Sequence, residues 1–182
     1  MYICIHMYII GVIHWLNVCF ILLYPLLFKN YIIDIIYIIN ITITVLGWFL
    51  FKGECWLSYY VKKYQNTDYN IGDNVFDHPD MRLVIPIDEK YLSNFFIYST
   101  FVTIILLYIV NNRSRIINVN IIYIISLIYL YYIFYVRKFC SRELYDKLSI
   151  EYYCYYLNPL FSLILFLVFL LLIKKLLLVI YK

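Results

Sequence analysis

Four near-continuous apolar runs of about twenty residues, plus a fifth that is shorter, constrain this chain more than any motif does: each needs a solvent as apolar as itself. A soluble domain of 182 residues has too much surface to hide them, and the composition offers little to cover that surface. The chain is 65% hydrophobic and 14% charged, with a mean hydropathy of +0.83, whereas soluble domains are nearer half apolar and a quarter charged. The fold class that follows is all-α: a polytopic transmembrane helical bundle of four to five spans, with lipid as the solvent.

The first run reads from about Tyr8 to Phe28, and the second from about Tyr31 to Phe51 after the short Lys29-Asn30 turn, closing a hairpin over residues 1–51. At ~1.5 Å per residue each can cross ~30 Å of hydrocarbon. The flank before the first run lacks Lys and Arg and has no small-residue cleavage site, so a retained span is expected instead of a removable leader. Lys52-Gly53 ends the second. A polar loop over 52–91 follows, in which Trp56, Leu57, Tyr60, Val61 and Tyr64 recur at helical spacing and predict an interfacial helix over 54–65. Turn formers fill 66–74, and His78-Pro79-Asp80 breaks the chain before the apolar stretch Met81 to Ile87.

Asp88 can cap a helix that becomes the third span, 92–110, and the fourth is expected over 116–136, making a second hairpin over 92–136. An amphipathic loop helix over 137–158 carries a Ser141 cap and a Glu143/Lys147 pair. The last segment, 159–182, starts at Asn158-Pro159 and has only ~21 Å of apolar helix before Lys174-Lys175. It either spans with snorkelling lysines or lies along the far surface. With five crossings, nine Lys/Arg fall on the side of the amino terminus and both longer loops, against six opposite. That excess places the amino terminus in the cytosol.

The net charge of +4 is spread over span edges, so the partner is the lipid bilayer and not nucleic acid. Ile, Leu, Tyr, Phe and Asn dominate while Ala is absent. Those preferences follow A/T-rich codons, which points to an AT-rich genome such as that of a large DNA virus, a parasite or an organelle, and makes the 23 tyrosines unremarkable.

Polar groups inside spans are the first functional candidates. In an antiparallel hairpin His14 falls near Thr44, Asn17 near Asn40 and Thr42, and Gly11 level with Gly47. The plainer reading is helix-packing glue, with the glycines closing the hairpin; the sharper one is a proton or metal site, or a polar pathway of His14, Asn17, Asn40 and Asn118 through a bundle or homo-oligomer. Asp34 lies ~16 Å from His14 along the axis and reads as interfacial. In the loop, Asp73, Asp77, His78 and Asp80 are hard-cation ligands in kind but match no calcium-loop spacing, and turn formation explains them as well. Cys55, Cys140 and Cys154 share a side in the five-span layout, yet no Cys-x-x-Cys or basic neighbour marks a reactive thiol. No hydrolase triad order, phosphate loop or zinc-protease motif is present, and nothing calls for a cofactor.

The segment Gly53-Glu54-Cys55-Trp56-Leu57-Ser58-Tyr59-Tyr60-Val61-Lys62-Lys63, with His14-Trp15 upstream, resembles small uncharacterised membrane proteins of mimivirus-like large DNA viruses. More distantly it is similar to bacterial multi-pass proteins with a Cys-x-Leu-Thr/Ser segment after a transmembrane helix. The resemblance implies a host or virion membrane and a recurring surface element at Cys55, and carries no activity. On the residues alone, the expectation is a structural or assembly component acting with other membrane proteins. A channel or transporter subunit is the alternative, and a membrane thiol oxidoreductase the third class.

Overall fold

A computed structural model of the chain describes residues 2–75, 77–133 and 150–181. Every described element is helical: α1 (Tyr2–Leu27), α2 (Tyr31–Leu50), α3 (Trp56–Gln65), α4 (Pro79–Val84), α5 (Glu89–Ser114), α6 (Val119–Tyr131) and α7 (Ile150–Ile180). Four of them are long and apolar enough to cross a membrane, over Ile5–Leu27, Tyr31–Leu50, Glu89–Ser114 and Leu157–Ile180. α6 is a shorter apolar helix, so the expected fourth span is present only in part, with 134–136 outside the described residues. The expected amphipathic helix lies mostly outside them too, its Ser141, Glu143 and Lys147 included.

The helix ends are built from local chemistry. The Asn30 side chain accepts from the amides of Ile32 and Ile33 and starts α2 three residues after α1 ends. Asp88 does the same for α5 through the Lys90 amide. Asn111 bridges the turn between α5 and α6, bonding both main-chain groups of Ile117. The last helix runs unbroken through Lys174-Lys175, because the Lys175 ammonium reaches the carbonyl of Ile116 in that same turn. A lysine with a partner at the bundle end need not interrupt an apolar helix.

α2 is the central helix. Ile35, Tyr37, Ile38, Ile41 and Val45 are at most 1% exposed, packed with Leu106, Leu107 and Val110 of α5, Ile122, Ile125 and Ile128 of α6, and Leu165, Val168 and Leu172 of α7. The outward faces stay apolar, as at Leu16, Leu26, Ile105 and Leu171, which is the pattern of a bundle solvated by lipid. Lipid tails are as apolar as these side chains, so association relies on close packing and polar ties. Such ties occur at both ends of the bundle and at its middle.

The 52–91 segment departs most from expectation. Its apolar stretch after His78 folds back into the bundle as α4, whose Met81 is fully buried against Val18 and Leu92 and whose Met81 carbonyl accepts from the Trp15 indole. α4 occupies the space beside Gly11 that the hairpin reading gave to Gly47. A Cβ on Gly11 would meet the Asp80 carbonyl, while one on Gly47 would meet Trp56, so the two glycines do not close the α1–α2 pair. α3 is also turned: Ser58, Val61 and Lys62 face the protein, and Trp56, Tyr60 and Tyr64 face outward. Lys62, which lies off the aromatic stripe, is buried on Glu54 and on the Asn74 carbonyl, and Glu54 also accepts from the Tyr69 hydroxyl and the Gly72 amide. A carboxylate with this many donors can be buried. It holds the loop as a compact cap over one end of the bundle.

Candidate functional site

Beneath that cap three elements bring together groups that are far apart in sequence. His14 comes from the buried face of α1, Cys55 from the residue that precedes α3, and Asp80 from the first turn of α4. The His14 ring donates from Nδ1 to Asp80 Oδ2 at 2.8 Å, and its Nε2 lies 3.6 Å from Cys55 Sγ. The second Asp80 oxygen accepts from the Ser58 hydroxyl at 2.8 Å, and His78 Nδ1 lies 2.8 Å from that same hydroxyl. Since Ser58 gives its one proton to Asp80, His78 is the donor in that pair. All five residues are buried.

The order carboxylate, imidazole, thiol has a definite chemical meaning. Asp80 fixes the tautomer and plane of His14 and leaves Nε2 to take the proton of Cys55. Burial in itself pushes the Cys55 thiol up, but the charge on His14 and its hydrogen bond outweigh this and hold the thiol below its ordinary value. Asp80 shows the same balance: burial raises it, while His14 and Ser58 hold it below the usual carboxylate range. The expectation that no neighbour activates Cys55 is thus corrected, because the neighbour arrives from 41 residues away.

A cavity of about 270 Å³ opens next to this group, lined by His14, Asn17, Asn40, Thr44, Cys55 and Trp56 among others. His14, Asn17, Asn40 and Thr44 therefore surround one space, with the Cys55 group at its end. Asn40 donates to Asn17 at 2.7 Å, and Thr44 donates to the Asn40 carbonyl within its own helix. Asn118 is elsewhere: it caps α6 at the opposite end of the bundle, so it does not continue a pathway from His14.

The four loop residues considered for a metal do not converge. Asp73 accepts from the Asn70 amide, Asp77 pairs with Arg82 at 2.6 Å, and only His78 and Asp80 meet, through Ser58. Among the described residues no group of three or more His, Cys, Asp or Glu could hold a metal ion. Of the thiols, Cys140 lies outside the described residues, Cys154 sits on α7, and Cys19 is exposed on α1.

A second polar cluster closes the other end. Asp34, expected at the interface, accepts from Arg113 Nε at 3.1 Å and from Tyr24 at 2.7 Å, and also from Ser114 and Arg113 Nη2. Arg113 also donates to the Pro25 carbonyl at 2.8 Å. This cluster ties α1, α2 and α5 and touches no cavity of the Cys55 site. No family model, no curated protein and no solved structure matches the chain, and none of the three comparisons bears on the likeness drawn from the Cys55 segment.

Proposed function

We propose that this integral membrane protein is a thiol-dependent enzyme of the acyl-transfer class, with Cys55 as nucleophile, His14 as its base and Asp80 as the residue that positions His14. The observation that supports this reading is the continuous Asp80–His14–Cys55 chain of contacts ending on a cavity. The Cys55 proton passes to His14 Nε2, the thiolate attacks an acyl carbonyl, and the leaving oxygen recovers the proton from the imidazolium. The Ser58 amide in the first turn of α3 bonds toward the Cys55 sulfur and favours its thiolate. A redox role has less support, since Cys19 is exposed on α1 while Cys55 is buried, and among the described residues no second thiol is placed beside Cys55.

A second reading keeps the chain as a structural or assembly component. It is favoured by the outward aromatic face of α3, where Trp56, Tyr60 and Tyr64 are 41%, 55% and 61% exposed. In that case the polar group beneath the cap only holds α4 in place.

Alkylation kinetics separate the two. In phosphatidylcholine nanodiscs, the iodoacetamide rate of the Cys55 peptide should reach half its plateau below the ordinary thiol value of about 8.5. His14→Gln should move that midpoint above 8.5, because burial and the Asp80 charge then outweigh the Ser58 amide, and lower the rate at pH 7 by about tenfold or more, one pH unit being a factor of ten. A wild-type midpoint at or above 8.5, or a Cys55 that reacts only after denaturation, leaves the structural reading in possession.

A further inference from the structure

The cavity under Cys55 has its rim at the membrane-facing surface. Ile13 of α1 and Ile43 of α2 both line it and are 53% and 40% exposed. α1 and α2 are tied at Tyr24–Asp34, at Tyr37–Ile21 and at Asn40–Asn17; the cavity reaches down to the Ile21 and Asn17 level of these ties and continues from there to Cys55. Along α2 it extends from Trp48 to Asn40, about 12 Å at the helical rise, all inside the span. The molecules adjoining such a mouth are lipids.

Its wall is less polar than its sequence. Thr44, Thr100 and Thr103 each donate their hydroxyl at 2.8 Å to a carbonyl four residues back in their own helix. The three threonine protons are thus spent inside the helices and the Asn40 amide donates to Asn17, while Val18, Ile21 and Leu22 line the same space with apolar side chains.

We propose, resting on the thiol reading above, that the cavity takes an acyl chain of a membrane phospholipid through the α1–α2 mouth and presents its ester carbonyl to Cys55. The Sγ–C bond forms as the ester C–O bond breaks, and the lysolipid oxygen leaves with the proton held on His14 Nε2. The product is a thioester on Cys55.

The test uses the full chain in phosphatidylcholine nanodiscs doped with a phosphatidylcholine carrying a diazirine in its acyl chain. Illumination should crosslink the cavity side of α1 and α2 at Asn17 and Thr44, and mass spectrometry should find a hydroxylamine-labile acyl group on Cys55 that is absent from Cys55→Ser. Thr44→Trp, which fills the cavity, and Ile43→Trp, which narrows its rim, should each lower cavity crosslinks and acyl-Cys55 at least fivefold, while crosslinks on the outward Leu16 stay as they are. Cavity crosslinks no stronger after blocking-variant subtraction than those at Leu16, or a Cys55 without acyl group, overturn the proposal. If Cys55 keeps its lowered alkylation midpoint in that case, the thiol reading stands and only the lipid substrate falls. An ordinary midpoint removes both.

Discussion

Gly11→Ala should detach α4 from α1 and abolish the lowered alkylation midpoint of Cys55, although neither Gly11 nor α4 touches the sulfur. A methyl group there would stand 2.0 Å from the Asp80 carbonyl oxygen and 2.8 Å from both the Asp80 carbonyl carbon and a Val84 methyl. Two of those atoms are backbone and cannot swing away, so the helix itself must lift by more than an ångström. Alanine improves the helix propensity of α1 by about 1 kcal/mol, but overpacking of this kind costs about 1–3 kcal/mol and here exceeds the gain. Asp80 moves with α4, and the 2.8 Å bond that orients His14 goes with it. The expected net loss is about 2 kcal/mol in the docking of 66–88, read as faster proteolysis of that segment, together with a Cys55 midpoint raised above the ordinary thiol value. Gly47→Ala is the matched control. Its methyl would meet only the indole edge of Trp56 at 3.2 Å, a side chain that can yield. Equal behaviour of the two variants would sink the account of Gly11 as the seat of α4.

How far this site could be read from sequence depends on the distance over which each contact acts. The α1–α2 pairing is local, and antiparallel arithmetic alone brings Asn17 beside Asn40, where the structure has a 2.7 Å bond. Caps at Asn30 and Asp88 are local too. The Cys55 group depends on a loop that re-enters the bundle, placing Asp80 next to a histidine 66 positions earlier, and no periodicity encodes that. Two signals were present: a proline at the first turn of the short apolar stretch after His78, which starts helices well, and a lone glycine on α1, which admits a close backbone. Read together they mark α4 and its seat. Lys62 is placed by the same re-entrant loop. Trp56, Tyr60 and Tyr64 of the aromatic stripe turn outward, the side an interfacial helix gives to headgroups, whereas Val61 of that stripe and Lys62 beside it face the protein, where Lys62 finds Glu54.

At the opposite end of the bundle, Asp34→Ala should produce the largest loss of stability of any single change considered for this chain. Asp34 is 1% exposed and accepts from Arg113, Tyr24 and Ser114 at once, so its removal strands a guanidinium whose side chain is 16% exposed. Breaking one side of a buried pair costs about 3–5 kcal/mol, most of it the penalty on the charge left behind. The helix termini add to it: the carboxylate sits in the first turn of α2 and the guanidinium in the last turn of α5, each at the end of the dipole that favours its sign. Unfolding titrations with sodium dodecyl sulfate from mixed micelles should show this as a loss of about 3 kcal/mol or more. The double variant Asp34→Leu/Arg113→Met separates charge from packing. With both charges gone no charge is stranded, and stability should return to within about 1–2 kcal/mol of the wild type, the remainder coming from the Ser114 hydroxyl, which loses its acceptor while Tyr24 keeps the Asn30 carbonyl. Because this cluster and the Cys55 site occupy opposite ends of the same helices, the double variant should keep the lowered Cys55 midpoint. A double variant as unstable as Asp34→Ala would mean that Asp34 acts through shape and hydrogen bonds instead of through the charge it neutralises.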